Sequence, residues 1–332
     1  MSAVLFVDPF SPEYYEDRLF DPQSPLNRDD CLAPFRLLRA ELEARGLATR
    51  TADALWQARG GLPARSYFLS LGMVKNLRAA KKANAIPLAL FLFEPPTVAP
   101  RRFLLLRHYG RHVRHVFTLL APGERWGLLR IRGRQFRYPQ APTAGCVPSP
   151  GARDGWLVGV FSAKRALVPS RELYSARRRA IEFFGRRGEL DLFGPGWDRV
   201  RRRRGGNAGL RRAWRGTAPD KLQTLRRYRF ALCYENSRWR GYVTEKVFDC
   251  LRAGTVPIYW GAPDIQDVVP PDAYIDRRHF ASNEELARYM HAVPEAQLNA
   301  YREAGDAFLQ SEAYRRFAPE AFVRLVLDLL PA

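Results

Sequence analysis

A polar run between two apolar segments carries the residues best suited to bind an anion. Residues 230–234 read as a buried strand and 256–260 as a second one, and the sequence Tyr-Val-Thr-Glu-Lys at 242–246 opens an amphipathic helix between them. The run places a phenol, a carboxylate and an ammonium group at a helix N-terminus, where free N–H groups and the helix dipole favour negative charge. This pattern predicts a binding site for nucleotide phosphates.

Each polar side chain near this helix start also has an ordinary explanation. Glu245 is a favourable acid in a first helical turn, and Tyr242 could simply pack in the core. Asn236, in the preceding loop, either contacts a ligand or fixes the loop through its backbone. Lys246 is the more informative residue, because the dipole disfavours a cation at this end of a helix unless the two share an anion.

The apolar periodicity predicts alternating strands and helices along the chain. The predicted strands lie at 4–7, 66–71, 87–93, 157–161, 190–193, 230–234 and 256–260. The predicted helices lie at 30–45, 75–83, 172–184, 220–228, 284–293, 295–310 and 312–330. Such alternation is typical of α/β proteins with doubly wound parallel sheets, which bind ligands at the carboxyl ends of their strands.

A stretch rich in proline and glycine at 139–155 is the best candidate for a linker. We expect a Rossmann-like domain at 1–150 and a second one at 156–311, facing each other across a cleft. The segment 312–332 is expected to be a C-terminal helix, with packing back on the first domain as an open alternative.

The composition limits the class of protein and its partners. No run of 18 apolar residues and no signal-peptide pattern occurs in the 332 residues, so we expect a cytoplasmic protein without a membrane-spanning helix. The four cysteines are scattered, which argues against a disulfide framework or a zinc site. The net charge of +20 favours polyanionic partners such as an anionic membrane face, unless it only reflects an arginine-rich composition.

Three blocks in the second half carry a resemblance to a known family. They are Tyr-Glu-Asn-Ser at 234–237, Tyr-Val-Thr-Glu-Lys at 242–246 and Ala-Gly-Thr-Val-Pro-Ile-Tyr-Trp-Gly at 253–261. In this order they resemble the signature of the α1,3/1,4-fucosyltransferases, glycosyltransferase family 10. In the first half, Phe-Glu-Pro-Pro at 93–96 is similar to the family's Glu-Ser-Pro element, with Pro95 in place of the serine.

The resemblance implies a GT-B fold and an inverting transfer of L-fucose from GDP-fucose. The acceptor would be a hydroxyl group of an oligosaccharide or glycoconjugate, in an α1,3-type linkage to an N-acetyllactosamine-like or surface-polysaccharide glycan. The first domain would face the acceptor, and the second would hold the nucleotide.

Within this resemblance the candidate residues receive roles. Glu94 is the candidate general base for the acceptor hydroxyl, and a strand-end glutamate satisfied by an arginine is the alternative. Lys246 and Arg177 would hold the diphosphate of the leaving GDP. Arg177 is preferred to its arginine neighbours because its spacing to Asp191 and Gly194 fits the family. Glu245 would orient the sugar, while Tyr242 and Asn236 would contact the donor.

Two basic features invite other interpretations. His108, His112 and His115 have helical spacing, but interleaved arginines and the lack of a nearby carboxylate indicate a basic surface helix, and we expect no obligatory metal. The arginine-rich segment 199–216 is either a flexible basic loop near the donor or a membrane, or a disordered solvated insertion. One tryptophan, Trp214, is too little to indicate a specific nucleic-acid partner.

Two further hypotheses remain open. The chain could be a GT-B transferase that uses another nucleotide sugar, since the sequence does not place the residues that select the donor. It could also be an inactive relative that binds polyanions or membranes, although the presence of Glu94 together with Glu245 and Lys246 argues against this.

Overall fold

The computed structural model describes residues 3–58, 61–142, 153–166, 168–201 and 207–331. The chain divides into two compact units, a first unit of residues 1–142 with 315–332 and a second unit of residues 143–314. Each unit contains a parallel sheet with helices, so the predicted α/β class is confirmed.

The first unit is built on a parallel sheet. Its strands are β1 (Ala3–Asp8), β2 (Leu47–Thr51), β3 (Arg65–Ser70), β4 (Ile86–Leu92), β5 (His115–Thr118), β6 (Arg125–Trp126), β7 (Leu129–Arg130) and β8 (Arg134–Gln135). Six of them form the sheet in the order β2-β1-β3-β4-β5-β8, while β6 and β7 form a separate antiparallel hairpin. The central strand β4 is buried almost throughout, which explains its nearly continuous apolar sequence.

Four helices accompany these strands, α1 (Ala33–Glu43), α2 (Asp53–Gln57), α3 (Asn76–Lys82) and α4 (Pro100–Tyr109). Helix α1 buries Phe35, Leu38 and Leu42, the stripe that its sequence predicts. After this helix Gly46 adopts a φ of 76°, a left-handed conformation that favours glycine.

The predicted helix through the three histidines is wrong. Helix α4 ends at Tyr109, residues Gly110–His112 form a 3-10 turn, and His115 begins strand β5. The glycine after α4 and the β-branched and aromatic residues of β5 outweigh the helical spacing of the histidines.

Strand β2, which the sequence analysis missed, alternates between buried and exposed residues as an edge strand should.

The second unit contains a parallel sheet of five strands. They are β9 (Gly155–Val160), β10 (Leu190–Phe193), β11 (Tyr228–Tyr234), β12 (Val256–Trp260) and β13 (Ile275–Asp276). The order in the sheet is β10-β9-β11-β12-β13. Tyr234 pairs with Trp260, so β11 and β12 end level with each other at the edge where parallel sheets bind ligands.

The remaining helices follow in chain order. They are α5 (Tyr174–Arg187), α6 (Trp197–Arg201), α7 (Ala208–Ala213), α8 (Lys221–Arg226), α9 (Glu245–Arg252), α10 (Asn283–Ala292), α11 (Glu295–Gln310), α12 (Glu312–Arg315) and α13 (Pro319–Leu327). The predicted capping of α10 is confirmed, because the Ser282 hydroxyl accepts from the N–H of Glu285 at 3.2 Å.

The single helix predicted at 312–330 is instead two helices, since α12 ends at Arg315 and α13 starts at Pro319. A proline at the first helical position suits a new helix start. Within the first unit α13 packs on α1, and the ring of Phe322 lies 5.7 Å from that of Phe35 and 5.3 Å from that of Phe91.

The arginine-rich segment 199–216 was expected to be a flexible basic loop or a disordered insertion, and both interpretations are wrong for residues 208–213. Residues Ala208–Ala213 form α7, which buries Gly209, Leu210 and Ala213. Helix α7 approaches α5 so closely that a Cβ atom on Gly185 or Gly209 would collide with backbone of the other helix. Trp214 donates its indole N–H to the carbonyl of Gly194 at 3.2 Å. Residues 202–206 lie outside the described part of the chain.

In the described part of the chain, no helix has both the length and the apolar character needed to cross a bilayer. Cys233 and Cys250 are buried and carry free thiols, and Cys146 lies outside the described residues.

Candidate functional site

The loop after β11 is held against the start of α5 by backbone hydrogen bonds. The N–H of Leu173 donates to the carbonyl of Asn236 at 3.0 Å, and the N–H of Arg238 donates to the carbonyl of Arg171 at 2.8 Å. Leu173 lies one helical turn before Arg177, so its bond to Asn236 brings Asn236 close to Arg177. Two candidate residues that are far apart in the sequence therefore meet.

Arg177 is the buried centre of this meeting point, with only 4% of its surface exposed. Its Nε and Nη2 donate to the carbonyl of Tyr234 at 3.1 and 2.6 Å, and Nη2 also donates to Oδ1 of Asn236 at 2.9 Å. Nδ2 of Asn236 in turn donates to the hydroxyl of Tyr242 at 3.2 Å. Burial lowers the pKa of Arg177, but a guanidinium keeps its charge at neutral pH.

A buried carboxylate organises the start of α9. Glu235 directly follows β11 and has no exposed surface. It accepts the N–H of Thr244 at 2.8 Å and the hydroxyl of Thr244 at 2.8 Å. Nζ of Lys246 lies 3.1 Å from Oε2 of Glu235 and donates to the Thr244 hydroxyl at 2.9 Å. Because Thr244 is the N-cap residue of α9, Glu235 fixes both the helix start and the ammonium group.

Lys246 has a second carboxylate partner that is open to solvent. Its Nζ lies 3.2 Å from Oε1 of Glu245, whose side chain is 36% exposed. Burial would raise the pKa of Glu245, but the ammonium groups of Lys246 and Lys221 lower it to about 2. Burial would likewise lower the pKa of Lys246, and the carboxylates of Glu235 and Glu245 raise it instead. Both side chains are therefore charged at neutral pH.

Glu94 belongs to the first unit, two residues beyond the end of β4, and is half-buried. Burial lowers the pKa of Arg102, and the Glu94 carboxylate opposes this effect. Arg102 thus lies close enough to Glu94 to interact with it electrostatically. This agrees with the alternative interpretation, in which Glu94 is a strand-end glutamate satisfied by an arginine. The role of Glu94 as a base stays a prediction.

Sequence reasoning missed Glu235, which positions Lys246 and the start of α9, although it lies in the block at 234–237. The available signal was a charged residue directly after an apolar strand, where an isolated buried carboxylate would be costly. A second missed residue is Gly261. A Cβ atom there would collide with the Tyr259 hydroxyl and with Cγ of Glu235, so only glycine fits beside the carboxylate.

The groups brought together can hold a diphosphate by charge and hydrogen bonding. The cations are Lys246 and Arg177, and the first N–H groups of α9 add the positive end of a helix dipole. Among the residues that the structure describes, no group of three His, Cys, Asp or Glu side chains is placed to hold a metal ion.

A separate cavity of about 550 Å³ opens beside β13 in the second unit. Aromatic and basic side chains line it, among them Tyr274, Arg278, Phe280 and Tyr289. None of the described residues on its wall is one of the six candidate residues. This cavity is therefore distinct from the cluster of candidate residues at the start of α9.

Part of the second unit matches a known family. Residues 167–303 match the family model described as glycosyltransferase family 10 (fucosyltransferase) C-term. Over 83 residues the chain is 42% identical to an alpha-(1,4)-fucosyltransferase of Arabidopsis thaliana, covering 24% of this chain and 21% of that protein. Over 112 residues it is 31% identical to the alpha-(1,3)-fucosyltransferase FucT of Helicobacter pylori, covering 33% and 23%. The matched part spans less than a quarter of the length of either relative.

Solved structures share the fold over nearly the whole chain. The crystal structure of an α1,3-fucosyltransferase with GDP-fucose aligns over 100% of this chain and 92% of that chain, with a TM-score of 0.51 and 14% identity. The structure of Anabaena Alr3699/HepE with UDP and glucose aligns over 99% of both chains, with a TM-score of 0.56 and 14% identity. These likenesses concern the fold and confirm the predicted GT-B class. The similarity to glycosyltransferase family 10 is thus confined to residues 167–303, within the second unit.

Proposed function

We propose that this protein is an inverting glycosyltransferase that transfers L-fucose from GDP-fucose to a hydroxyl group of an acceptor glycan. The observation that carries the proposal is the ammonium of Lys246, fixed by Glu235 at the N-terminus of α9 inside the domain that matches the family. The matching relatives are named as fucosyltransferases, which supports fucose as the sugar. The α1,3-type linkage is supported by the relatives named as α1,3-fucosyltransferases.

On the donor side, Lys246 and Arg177 bind the diphosphate. As GDP leaves, negative charge grows on the β-phosphate oxygens, and cations that are already in place stabilise this charge more than they stabilise the substrate. Lys246 is held by Glu235 and Arg177 by the carbonyl of Tyr234, so neither must be reoriented during the reaction. Tyr242 and Asn236 donate hydrogen bonds to the donor.

The sugar is oriented by Glu245, which is ionised and partly exposed beside Lys246. A carboxylate in this position accepts hydrogen bonds from sugar hydroxyls and stabilises positive charge that develops on the ring. When a phosphate group approaches Lys246, Glu245 is the carboxylate partner that gives way, because Glu235 is buried and also bound to Thr244.

On the acceptor side, Glu94 takes the proton of the attacking hydroxyl group. The acceptor oxygen forms a bond to C1 of fucose while the bond from C1 to the β-phosphate oxygen breaks, and the electron pair leaves with GDP. Attack on the face opposite the leaving group inverts the configuration at C1. In this proposal residues 1–150 contact the acceptor and 156–311 hold the donor, with 312–332 as a C-terminal helix.

The proposal includes no obligatory metal, since the cations and the helix N-terminus perform the task of a divalent ion on the diphosphate. It also places the protein in the cytoplasm, with peripheral contact to the anionic inner membrane face. The net charge of +20 supports this contact.

One assay tests the proposal. The protein is incubated with an N-acetyllactosamine acceptor and either GDP-fucose, GDP-mannose or a UDP-sugar, and nucleotide release is measured with and without EDTA. We expect release from GDP-fucose alone, dependent on acceptor and unchanged by EDTA.

The other outcomes separate the alternatives. If the nucleotide is released from another nucleotide sugar, that sugar and not fucose is the one transferred. If no nucleotide is released with any donor and acceptor, the proposal that the protein is a transferase is contradicted. A complete loss in EDTA that a divalent ion restores would contradict metal independence.

A further inference from the structure

A short hairpin of the first unit presents an apolar tip to solvent. Strands β6 and β7 pair through Trp126 and Leu129, and the turn between them consists of Gly127 and Leu128. The turn is shaped by a φ of 58° at Gly127 and by a hydrogen bond from Nη2 of Arg125 to the carbonyl of Leu128 at 3.3 Å. Leu128 is 93% exposed, so nearly all of its side chain faces solvent.

The hairpin and α4 enclose a cavity of about 680 Å³. Its apolar wall is formed by Phe103, Leu106, Val116, Trp126 and Ile131. Four arginines also line it: Arg107, Arg111, Arg130 and Arg132. An apolar interior therefore opens through a positively charged rim, beside the exposed leucine.

A second exposed leucine lies close to the same rim. Leu104 is 54% exposed and precedes Arg107 by three residues on α4, a spacing that places both on one face of the helix. Residues 101–134, which span α4 and the hairpin, contain nine arginines and one glutamate. The region thus combines unburied leucines with a strong excess of positive charge.

We propose that this hairpin surface, composed of Leu104, Leu128, Arg107, Arg111, Arg130 and Arg132, docks the protein on an anionic phospholipid bilayer. Leu128 enters the boundary between headgroups and acyl chains, and the four arginines bind lipid phosphates. The inference deepens the proposed contact with a membrane face, on which it rests, by naming the surface and the chemistry of its partner.

Charge complementarity and the exposed leucines favour a bilayer over a nucleic acid. Basic residues near an anionic leaflet each add to the attraction, and an inserted leucine adds the transfer of its apolar surface out of water. A phosphodiester backbone would use the arginines but leave Leu128 in water. Trp126, the tryptophan of the hairpin, is already half-buried and lines the cavity wall, so it is not a free stacking platform.

The test is cosedimentation of the full chain with phosphatidylcholine vesicles that contain or lack phosphatidylglycerol. We expect binding to the anionic vesicles only, weakened by added salt because the lipid phosphates are screened. The substitution Leu128→Asp should weaken binding about tenfold, since it removes the inserted apolar group. Leu128→Trp should bind at least as well as the unsubstituted protein, because tryptophan favours the interface.

Charge reversal provides the matched pair of variants. Arg107→Glu with Arg130→Glu should weaken vesicle binding about tenfold or more. The control, Arg227→Glu with Arg288→Glu, makes the same change in net charge at exposed positions of the second unit and should weaken binding much less. Circular dichroism and thermal unfolding show whether each variant is folded.

The outcomes separate two claims, that the protein contacts an anionic membrane and that the hairpin surface makes this contact. If the unsubstituted protein binds anionic vesicles and both pairs of charge variants weaken binding equally, the hairpin surface is the wrong assignment, while membrane contact stands. If the protein does not bind vesicles at all, both are overturned. If it binds single-stranded RNA tightly but not vesicles, and Leu128→Asp has no effect, the surface serves nucleic acid instead.

Discussion

The carboxylate of Glu235 lies 3.1 Å from the ammonium nitrogen of Lys246, and this ion pair joins the end of β11 to the first turn of α9. Glu235 has no exposed surface, so its charge depends on Lys246 and on the two hydrogen bonds from Thr244. Lys246 therefore balances a buried charge. In the proposed function it has a second, separable task, which is to bind the diphosphate.

A double-mutant cycle separates these tasks. Lys246→Met leaves the Glu235 carboxylate buried without its cation, so we expect it to lower the free energy of unfolding by roughly 3 kcal/mol. The double variant Lys246→Met with Glu235→Gln should recover much of this loss, because no unpaired charge remains. Urea denaturation of both variants measures the difference.

Affinity for GDP should not follow the same pattern. Both variants that lack Lys246 should bind GDP at least about tenfold more weakly, measured by calorimetry, because the phosphate contact is missing in each. Glu235→Gln alone keeps the ammonium and should retain most of the affinity. Recovery of GDP binding in the double variant would show that Lys246 acts only on stability.

Gly261 should be intolerant of the smallest side chain. Gly261→Ala places a Cβ atom against Cγ of Glu235 and the Tyr259 hydroxyl, so we expect a loss of roughly 1–3 kcal/mol in the free energy of unfolding and weaker GDP binding. Gly305→Ala is the matched control, because the nearest atom to its Cβ is the terminal Cδ2 methyl group of Leu251 at 2.9 Å, and no carboxylate is among its near contacts. Equal effects of the two substitutions would contradict the close approach of Gly261 to the carboxylate.

Glu94→Gln should separate chemistry from donor binding. Removal of a general base reduces turnover about 10²–10⁴-fold, and the amide leaves the volume of the side chain unchanged. GDP affinity should stay the same, since the residues proposed to bind the donor all lie in the second unit. Glu13→Gln changes an exposed glutamate of the first unit and should keep full activity. Turnover near that of the unsubstituted protein in Glu94→Gln would exclude Glu94 as the base.

Asp8 makes the stability of the first unit dependent on pH. It ends β1 without exposed surface, and it accepts hydrogen bonds from Tyr15 at 3.1 Å, Asn76 at 3.1 Å and Ser70 at 3.2 Å. Burial outweighs these bonds and raises the pKa of Asp8 from 3.8 to about 7. Between about pH 4 and pH 7 the folded chain thus keeps a proton that the unfolded chain loses. The free energy of unfolding should fall as pH rises through this window and level off above it.

Denaturation of the Asp8→Asn variant across this pH range checks the assignment. The amide cannot ionise, so the fall should disappear, and its full size should be no more than about 4 kcal/mol. Asp272→Asn, at an exposed position, should keep the pH dependence of the unsubstituted protein. A slope that persists in Asp8→Asn would assign it to other groups.

The parts of the fold that follow from local pattern could be predicted from the sequence. Strand β12 and helix α11 have the predicted bounds, and β11 and α10 differ from theirs by one or two residues. In each case apolar periodicity, capping and turn residues favour the same element. The sequence analysis missed the break between α12 and α13 and the strand that begins at His115. In both places the helical spacing of the side chains continues past a helix-ending residue, Pro319 or Gly110.

The candidate site was predictable in its residue types but not in its partners. The sequence indicated that Lys246 needs an anion, yet it could not show that Glu235 supplies one, because that pairing depends on how β11 and α9 meet. The same holds for α7, whose arginines suggested a solvated segment. Its position depends on the contact of Gly209 with Gly185, which is remote in sequence.

The packing of α13 on α1 has a consequence for synthesis on the ribosome. The second unit is one continuous stretch, so it can complete its core soon after residue 314 emerges. The first unit begins earlier but finishes later, since Phe322 covers Phe35 and Phe91 only after the second unit has been synthesised. Its aromatic core must therefore stay partly open through the synthesis of an entire second unit. That interval is when a nascent chain most needs protection by a chaperone.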